Sequence, residues 1–285
     1  MNISITTIFA FSSVCALTSG AQTLTATYIE LADSADVYMK HEQWSDAERV
    51  IVKALRHEPA NKSNYLLWSN LGTVRTNMGD HDGALQAFDI GLSSAPNSTT
   101  LLSNRARTLI AKGENSMALT DLNKALELDS TLQWPRKMRG IIRAATGNLD
   151  GAAADLESYT DRFGKDAAIS ETLGDIALRG DRKDEALSRY KEAYGLEKEE
   201  TLLLKLLLTA LETDRLEEYE EMLNTGISDH PRYGNLYLVR ARLKKNRYQT
   251  SDMELDLKRA MELGADENLY DTLIGTPSKR HAKKG

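Results

Sequence analysis

The chain has 285 residues, 41% of them hydrophobic and 27% charged, with five prolines and a formal net charge of −6. Such a length buries a substantial core, as two ordinary domains or as one elongated repeat array, and the composition excludes a disordered chain. Both signs of charge are interspersed and aromatic residues make up 6%, which argues against a general nucleic-acid binder, since that function needs clustered Lys and Arg or rows of stacking rings.

No charged side chain precedes Glu30. Ile3 to Leu17 is mostly apolar, and small residues follow up to Ala21. The pattern predicts a secretory signal peptide over 1–21, cut before Gln22, although the usual basic residue near the start is missing. The run is shorter than the roughly 20 residues a transmembrane helix needs. An exported chain, periplasmic or secreted, is expected. Cys15, the only cysteine, lies inside this segment, and Ser12-Ser13-Val14 before it fits a lipidation signal poorly, so a lipid anchor is the weaker alternative. The mature chain would then carry no thiol.

Beyond Tyr28 a period of about 34 residues dominates. One register holds Ala35, Gly72, Ala106, Gly140, Gly174, Leu207 and Ala241; a second holds Ala47, Ala84, Ala118, Ala152, Ala186, Tyr219 and Met253. Four residues after each second mark stands a large apolar residue, from Ile51 and Phe88 to Leu257. Three further on comes Ala54, Gly91, Ala125, Tyr159, Ala193, Gly226 or Ala260. These spacings put a small-large-small set on one face of a helix, which lets a neighbouring helix approach closely. Gly79, Gly113, Gly147, Asp181 and Asp214 mark the turn between the two helices of a copy, and Pro59, Pro96 and Pro231 close copies, because proline cannot continue a helix. Seven helical hairpins follow, over 28–61, 65–98, 99–132, 133–166, 167–199, 200–233 and 234–267. Tyr219 and Met253, bulky where small residues are the rule, predict altered helix packing in the last two copies. Residues 268–285 make a capping segment, helical over Asn268–Ile274, and a basic tail with Lys279, Arg280, Lys283 and Lys284.

Trp68, Leu71, Gly72, Ala84, Phe88 and Pro96 resemble the tetratricopeptide repeat pattern Trp-x2-Leu-Gly-x2-Tyr, Ala-x3-Phe, Pro. The resemblance runs from Tyr28 to about Glu267. It implies an all-α, right-handed α-solenoid in which the first helices of successive hairpins line a concave groove for an extended peptide or a helix. The aromatic that the pattern expects late in the first helix is present only as Tyr38; Arg75, Arg143 and Lys244 stand at equivalent places.

Charges support the register. Arg105, Arg139 and Arg240 each have an aspartate sixteen residues on, Asp121, Asp155 and Asp256, and the other copies lack both members. Salt bridges between the two helices of a hairpin are predicted.

Chemistry for catalysis is not visible. His41, His57, His81, His230 and His281 form no metal-ligating pair, no Gly-rich phosphate loop occurs, and Glu217, Glu218, Glu220 and Glu221 splay around a helix as a solvated face. No catalytic residue, metal site or cofactor is expected. Projecting the groove from the first register places Asn70, Thr73, Ser103, Asn104, Arg107, Trp134 and Lys137 in copies two to four, a polar and positive stretch suited to an acidic or carboxylate-bearing peptide, read against the plainer alternative of ordinary solvated residues. Ala32 and Asp36 occupy the places where chaperone-binding members of the family hold a terminal carboxylate, so that clamp is not expected. Leu204, Leu208 and Leu211 of copy six read as packing. The sequence thus points to an exported, non-catalytic protein-protein interaction scaffold. The alternative is an accessory protein holding an envelope glycan or lipid in the groove. Membrane contact is expected only through the signal or the basic tail.

Overall fold

The computed structural model describes residues 25–275. The signal peptide, Cys15 and the basic tail of the sequence reading lie outside them. The described residues hold fifteen α-helices and one short 3-10 helix, with no strand among them. The chain divides into two compact units between Ile142 and Arg143.

In the first unit, α1 (Ala26–Lys40) pairs with α2 (Trp44–His57), α3 (Asn64–Asn77) with α4 (His81–Ser94), and α5 (Thr99–Ala111) with α6 (Asn115–Leu128). Each second helix also packs on the next first helix, α2 on α3 and α4 on α5. Helix α7 (Gln133–Ala145) begins in this unit. The small-residue register explains the close approach: Ala47, Ala84 and Ala118 are fully buried, and at Gly72 a side chain would run into the ring of Phe88. Tyr28, Met39, Ile51, Leu67 and Leu71 fill the core at its start.

The second unit contains α8 (Leu149–Phe163), α9 (Ala167–Arg179) with α10 (Lys183–Leu196), α11 (Glu200–Glu212), the 3-10 helix Leu216–Tyr219 with α12 (Glu220–Asp229), and α13 (Gly234–Asn246) with α14 (Thr250–Glu262). Leu203, Leu206, Leu207, Leu223 and Leu236 lie in one buried cluster with Tyr190 and Tyr194. In copy six the second helix opens with a 3-10 turn, Leu216–Tyr219, that runs directly into α12 at Glu220. Tyr219 is the bulky residue in the small-residue place, and a tighter 3-10 turn re-aims the chain around it. Met253 sits within an unbroken α14. The last helix, α15 (Glu267–Ile274), packs on α13. Arg242 donates to the carbonyl of Leu273 at 3.0 Å and Lys245 to that of Ile274 at 2.6 Å. Both cations thereby satisfy carbonyls at the negative end of α15.

Every hairpin turns through one residue in the left-handed region. Gly79, Gly113 and Gly147 take it at no steric cost, as do Asp181 and Asp214 at little; Glu42 and Tyr248 hold the same conformation, at φ 55° and 58°.

Two of the three expected inter-helix ion pairs lie within single units, and both form as bidentate forks. Arg105 reaches Asp121 at 2.6 and 2.8 Å, and Arg240 reaches Asp256 at 2.6 and 2.9 Å. Arg139 and Asp155 belong to different units. Within its own unit Arg139 donates to Asn123 at 3.1 Å, while Asp155 accepts from Arg143 at 2.8 Å. Arg143 stands in a place where the repeat pattern has an aromatic.

Candidate functional site: the first-helix face of the first unit

Helices α1, α3 and α5 lie in sequence along this face, and their polar side chains bond across the helix boundaries. Asn70 of α3 makes a long contact to Asp36 of α1 at 3.5 Å. The amide of Asn104 on α5 reaches back to Thr73 Oγ1 at 3.4 Å and Ser69 Oγ at 3.5 Å. Thr76 and Thr108 share a bond of 2.8 Å. The threonines can lie at helix boundaries without exposing polar atoms because each is also within reach of a carbonyl of its own helix: Thr73 of Ser69, Thr76 of Gly72 and Thr108 of Asn104.

The seven sequence-predicted residues therefore fall into two groups. Asn70, Thr73 and Asn104 are 2%, 3% and 7% exposed and belong to this seam between helices. Ser103, Arg107, Trp134 and Lys137 are half-buried and retain accessible surface. Ser103 donates to the carbonyl of Thr99 at 2.6 Å. The structure brings Arg107 and Trp134 together, with the guanidinium carbon 4.2 Å from the centre of the indole ring. Thr76 and Thr108 complete the seam and were not singled out from sequence. The signal available was the polar Thr108 where copies four and five carry the buried Ile142 and Ile176.

Arg107 is electrostatically unusual. Burial lowers its pKa, and no charged neighbour compensates. An arginine remains protonated even so, given the height of its ordinary pKa. Its Nε is buried with no hydrogen-bond partner in the protein. The residue lines a cavity of about 10 Å³ with Thr73, Thr76, Phe88, Asn104 and Thr108, space for about one water molecule.

On the corresponding face of the second unit the charges are already matched. Lys205 bridges Glu171 and Asp175, each at 2.8 Å, and Tyr190 donates to Asp175 at 2.5 Å. Burial, then the hydrogen bond to Asp175, hold the Tyr190 phenol protonated well above its ordinary range. Leu204, Leu208 and Leu211 pack against the core there.

The acidic stretch around α12 is engaged with arginines: Arg215 meets Glu218 at 2.8 Å, and Arg247 meets Glu220 at 2.8 Å and Glu217 at 3.3 Å. Among the described residues no group of three or more His, Cys, Asp or Glu side chains is arranged to hold a metal ion. His230 links two copies, with Nδ1 3.2 Å from Glu200 and Nε2 3.0 Å from the carbonyl of Lys198. No described helix is long and apolar enough to cross a membrane.

Two models of the tetratricopeptide repeat match the chain, one at residues 33–99 and 137–198 and the other at 99–132. Among curated relatives, a tetratricopeptide repeat protein 36 homolog of Drosophila pseudoobscura pseudoobscura is 38% identical over 92 residues, 30% of this chain and 49% of that protein. The chain thus spans about half the length of that relative. Among solved structures, a tetratricopeptide repeat protein from Parabacteroides merdae superposes with a TM-score of 0.61 at 23% identity, covering 87% of this chain and 98% of the other. YrrB, described as having an unusual peptide-binding site, superposes with a TM-score of 0.55 at 18% identity over 64% of this chain and 92% of its own.

Proposed function

This chain belongs to the tetratricopeptide repeat family, and we propose that it is an exported, non-catalytic interaction scaffold that holds a peptide or helix of a protein partner on the first-helix face of its first unit. The observation that carries the reading is the division of labour on that face. A buried polar seam ties α1, α3 and α5 together, while Ser103, Arg107, Trp134 and Lys137 keep surface for a ligand. A rigid platform with a few accessible side chains loses little conformational entropy on binding. The peptide-binding site named for YrrB, a protein of like fold, is in keeping with this use.

The test is crosslinking in the native envelope followed by mass spectrometry, with the wild-type chain and one carrying Arg107→Glu and Lys137→Glu. The partner crosslinked by the wild type should drop by about tenfold or more with the double variant, as loss of a central charged contact implies. Equal recovery with a folded double variant removes this face from consideration. Export has its own readout. Terminal sequencing of the chain recovered from the envelope or the medium should begin at Gln22, and a cytosolic chain that retains its first residues overturns that part of the proposal.

A further inference from the structure

Arg107 differs from other arginines of the repeats. Arg75 pairs with Glu48 at 2.8 Å, Arg105 with Asp121 at 2.6 Å and Arg143 with Asp155 at 2.8 Å. Arg242, at the same repeat position as Arg107, donates to the Leu273 carbonyl at 3.0 Å. Among the described residues Arg107 alone of these five has neither a carboxylate nor a carbonyl partner, although it is half-buried. A partly desolvated cation without a counter-charge is unfavourable for the isolated chain.

The surroundings of Arg107 define which edge remains available. The indole of Trp134 covers one face of the guanidinium, a placement that favours the cation and holds its plane. Nε is enclosed within the protein. The two Nη groups are neither hydrogen-bonded nor among the enclosed unpartnered atoms, so they form an accessible fork. A fork of that kind matches the two oxygens of a carboxylate. Lys137 stands on α7 three residues from Trp134, on the same side of the helix, and adds positive potential.

We infer that the Arg107 fork, backed by Trp134, is a subsite for the side-chain carboxylate of an aspartate or glutamate within a partner segment. The inference deepens the scaffold reading and rests on it. A chain-terminal carboxylate is disfavoured because Asn70 and Asn104 are 2% and 7% exposed, enclosed in the seam beside Asp36, Ser69 and Thr73. The seam amides are therefore out of reach of the end of a chain.

The probe is a blocked hexapeptide with two adjacent glutamates. Its glutamine counterpart, and that counterpart with a free C-terminal carboxylate, serve as the other arms. Titrated into the full chain, the glutamate peptide should shift the Arg107 Nε–H and Trp134 indole N–H resonances saturably, with a Kd of about 1 mM, the scale of a single exposed subsite. The glutamine peptide should leave both in place. Arg107→Lys, which keeps the charge and loses the fork, should weaken the response read at Trp134 by about tenfold, and Arg107→Gln should abolish it. No saturable shift, an equal shift with the blocked glutamine peptide, or a response surviving in Arg107→Gln overturns the subsite. A response confined to the free C-terminus overturns the side-chain assignment. If the native partner is captured equally by wild type and Arg107→Gln, the subsite falls while the scaffold reading stands.

Discussion

Thr76 of α3 and Thr108 of α5 share a hydroxyl-hydroxyl hydrogen bond of 2.8 Å, which joins the first helices of two successive hairpins. Thr108 is fully buried, so its hydroxyl has little access to bulk water in exchange for this bond. The stack is therefore fastened by directional contacts as well as by apolar packing.

That bond predicts a non-additive pair. Thr108→Val keeps the shape of the side chain and removes the hydroxyl, at a cost of about 1 kcal/mol. Thr76→Val should cost a similar amount. The double variant should cost about 1 kcal/mol less than the sum of the two, because the shared bond is lost only once. Urea unfolding of the four chains measures the coupling; strict additivity means that the two hydroxyls do not interact.

Arg105 and Asp121 form a bidentate pair with the aspartate buried. Arg105→Met should destabilise the chain by about 3 kcal/mol, because a carboxylate stays behind without its partner. Adding Asp121→Leu should recover most of the loss, since an apolar pair no longer buries a lone charge. Thermal unfolding of both variants distinguishes this from a surface ion pair, whose removal costs about 0–1 kcal/mol.

How much of this was legible follows from what each residue type reveals. Ala47, Ala84 and Ala118 announced the hairpin contacts, because close helix approach demands small side chains at a fixed spacing. Arg105 with Asp121 was readable since the two charges come and go together between copies. The turns at Gly79 and Asp181 were readable from their tolerance of positive φ, whereas Glu42 and Tyr248 take the same conformation under tertiary constraint and carry no local mark of it. Asn70, Thr73 and Asn104 looked like open groove residues from their period. Their burial arises from neighbouring first helices bonding side by side, and the period of one helix cannot separate a lateral seam from an open face. Bulky residues at Tyr219 and Met253 flagged both last copies, but only the first of these coincides with a departure from regular α-helix, a 3-10 first turn.

Alkaline pH tests the start of the array. The Tyr28 hydroxyl donates to Asn64 Oδ1 at 3.0 Å in the core, and burial, then the charge of Glu58, push its pKa from 10.0 up to about 12. The folded state thus holds this proton more tightly than the unfolded chain does. The corresponding stability is fully present below pH 10 and is lost as pH rises through about 12. A shift of this size corresponds to roughly 3 kcal/mol. Tyr28→Phe should cost about 1 kcal/mol at neutral pH through the lost hydrogen bond, yet its deficit relative to wild type should close and reverse between pH 10 and 12. Urea midpoints of the two chains across that range give the comparison, and a deficit independent of pH counts against the assignment to Tyr28.

Tyr248 offers a gain of stability. It holds φ 58° in the turn between α13 and α14 and is 93% exposed, so its ring contributes almost no packing while its Cβ is strained. The equivalent turn positions Gly79, Gly113 and Gly147 have no such strain. In the left-handed region a non-glycine residue costs roughly 1–2 kcal/mol, and glycine returns part of that advantage through the greater freedom of its unfolded chain. Tyr248→Gly should therefore stabilise the α13–α14 hairpin by about 0.5–1 kcal/mol. The rise should appear as slower amide exchange in those two helices, while Tyr233→Gly, at a half-buried residue outside the left-handed turns, should have the opposite sign. Unchanged or faster exchange in Tyr248→Gly would show that the turn is held by contacts of the ring.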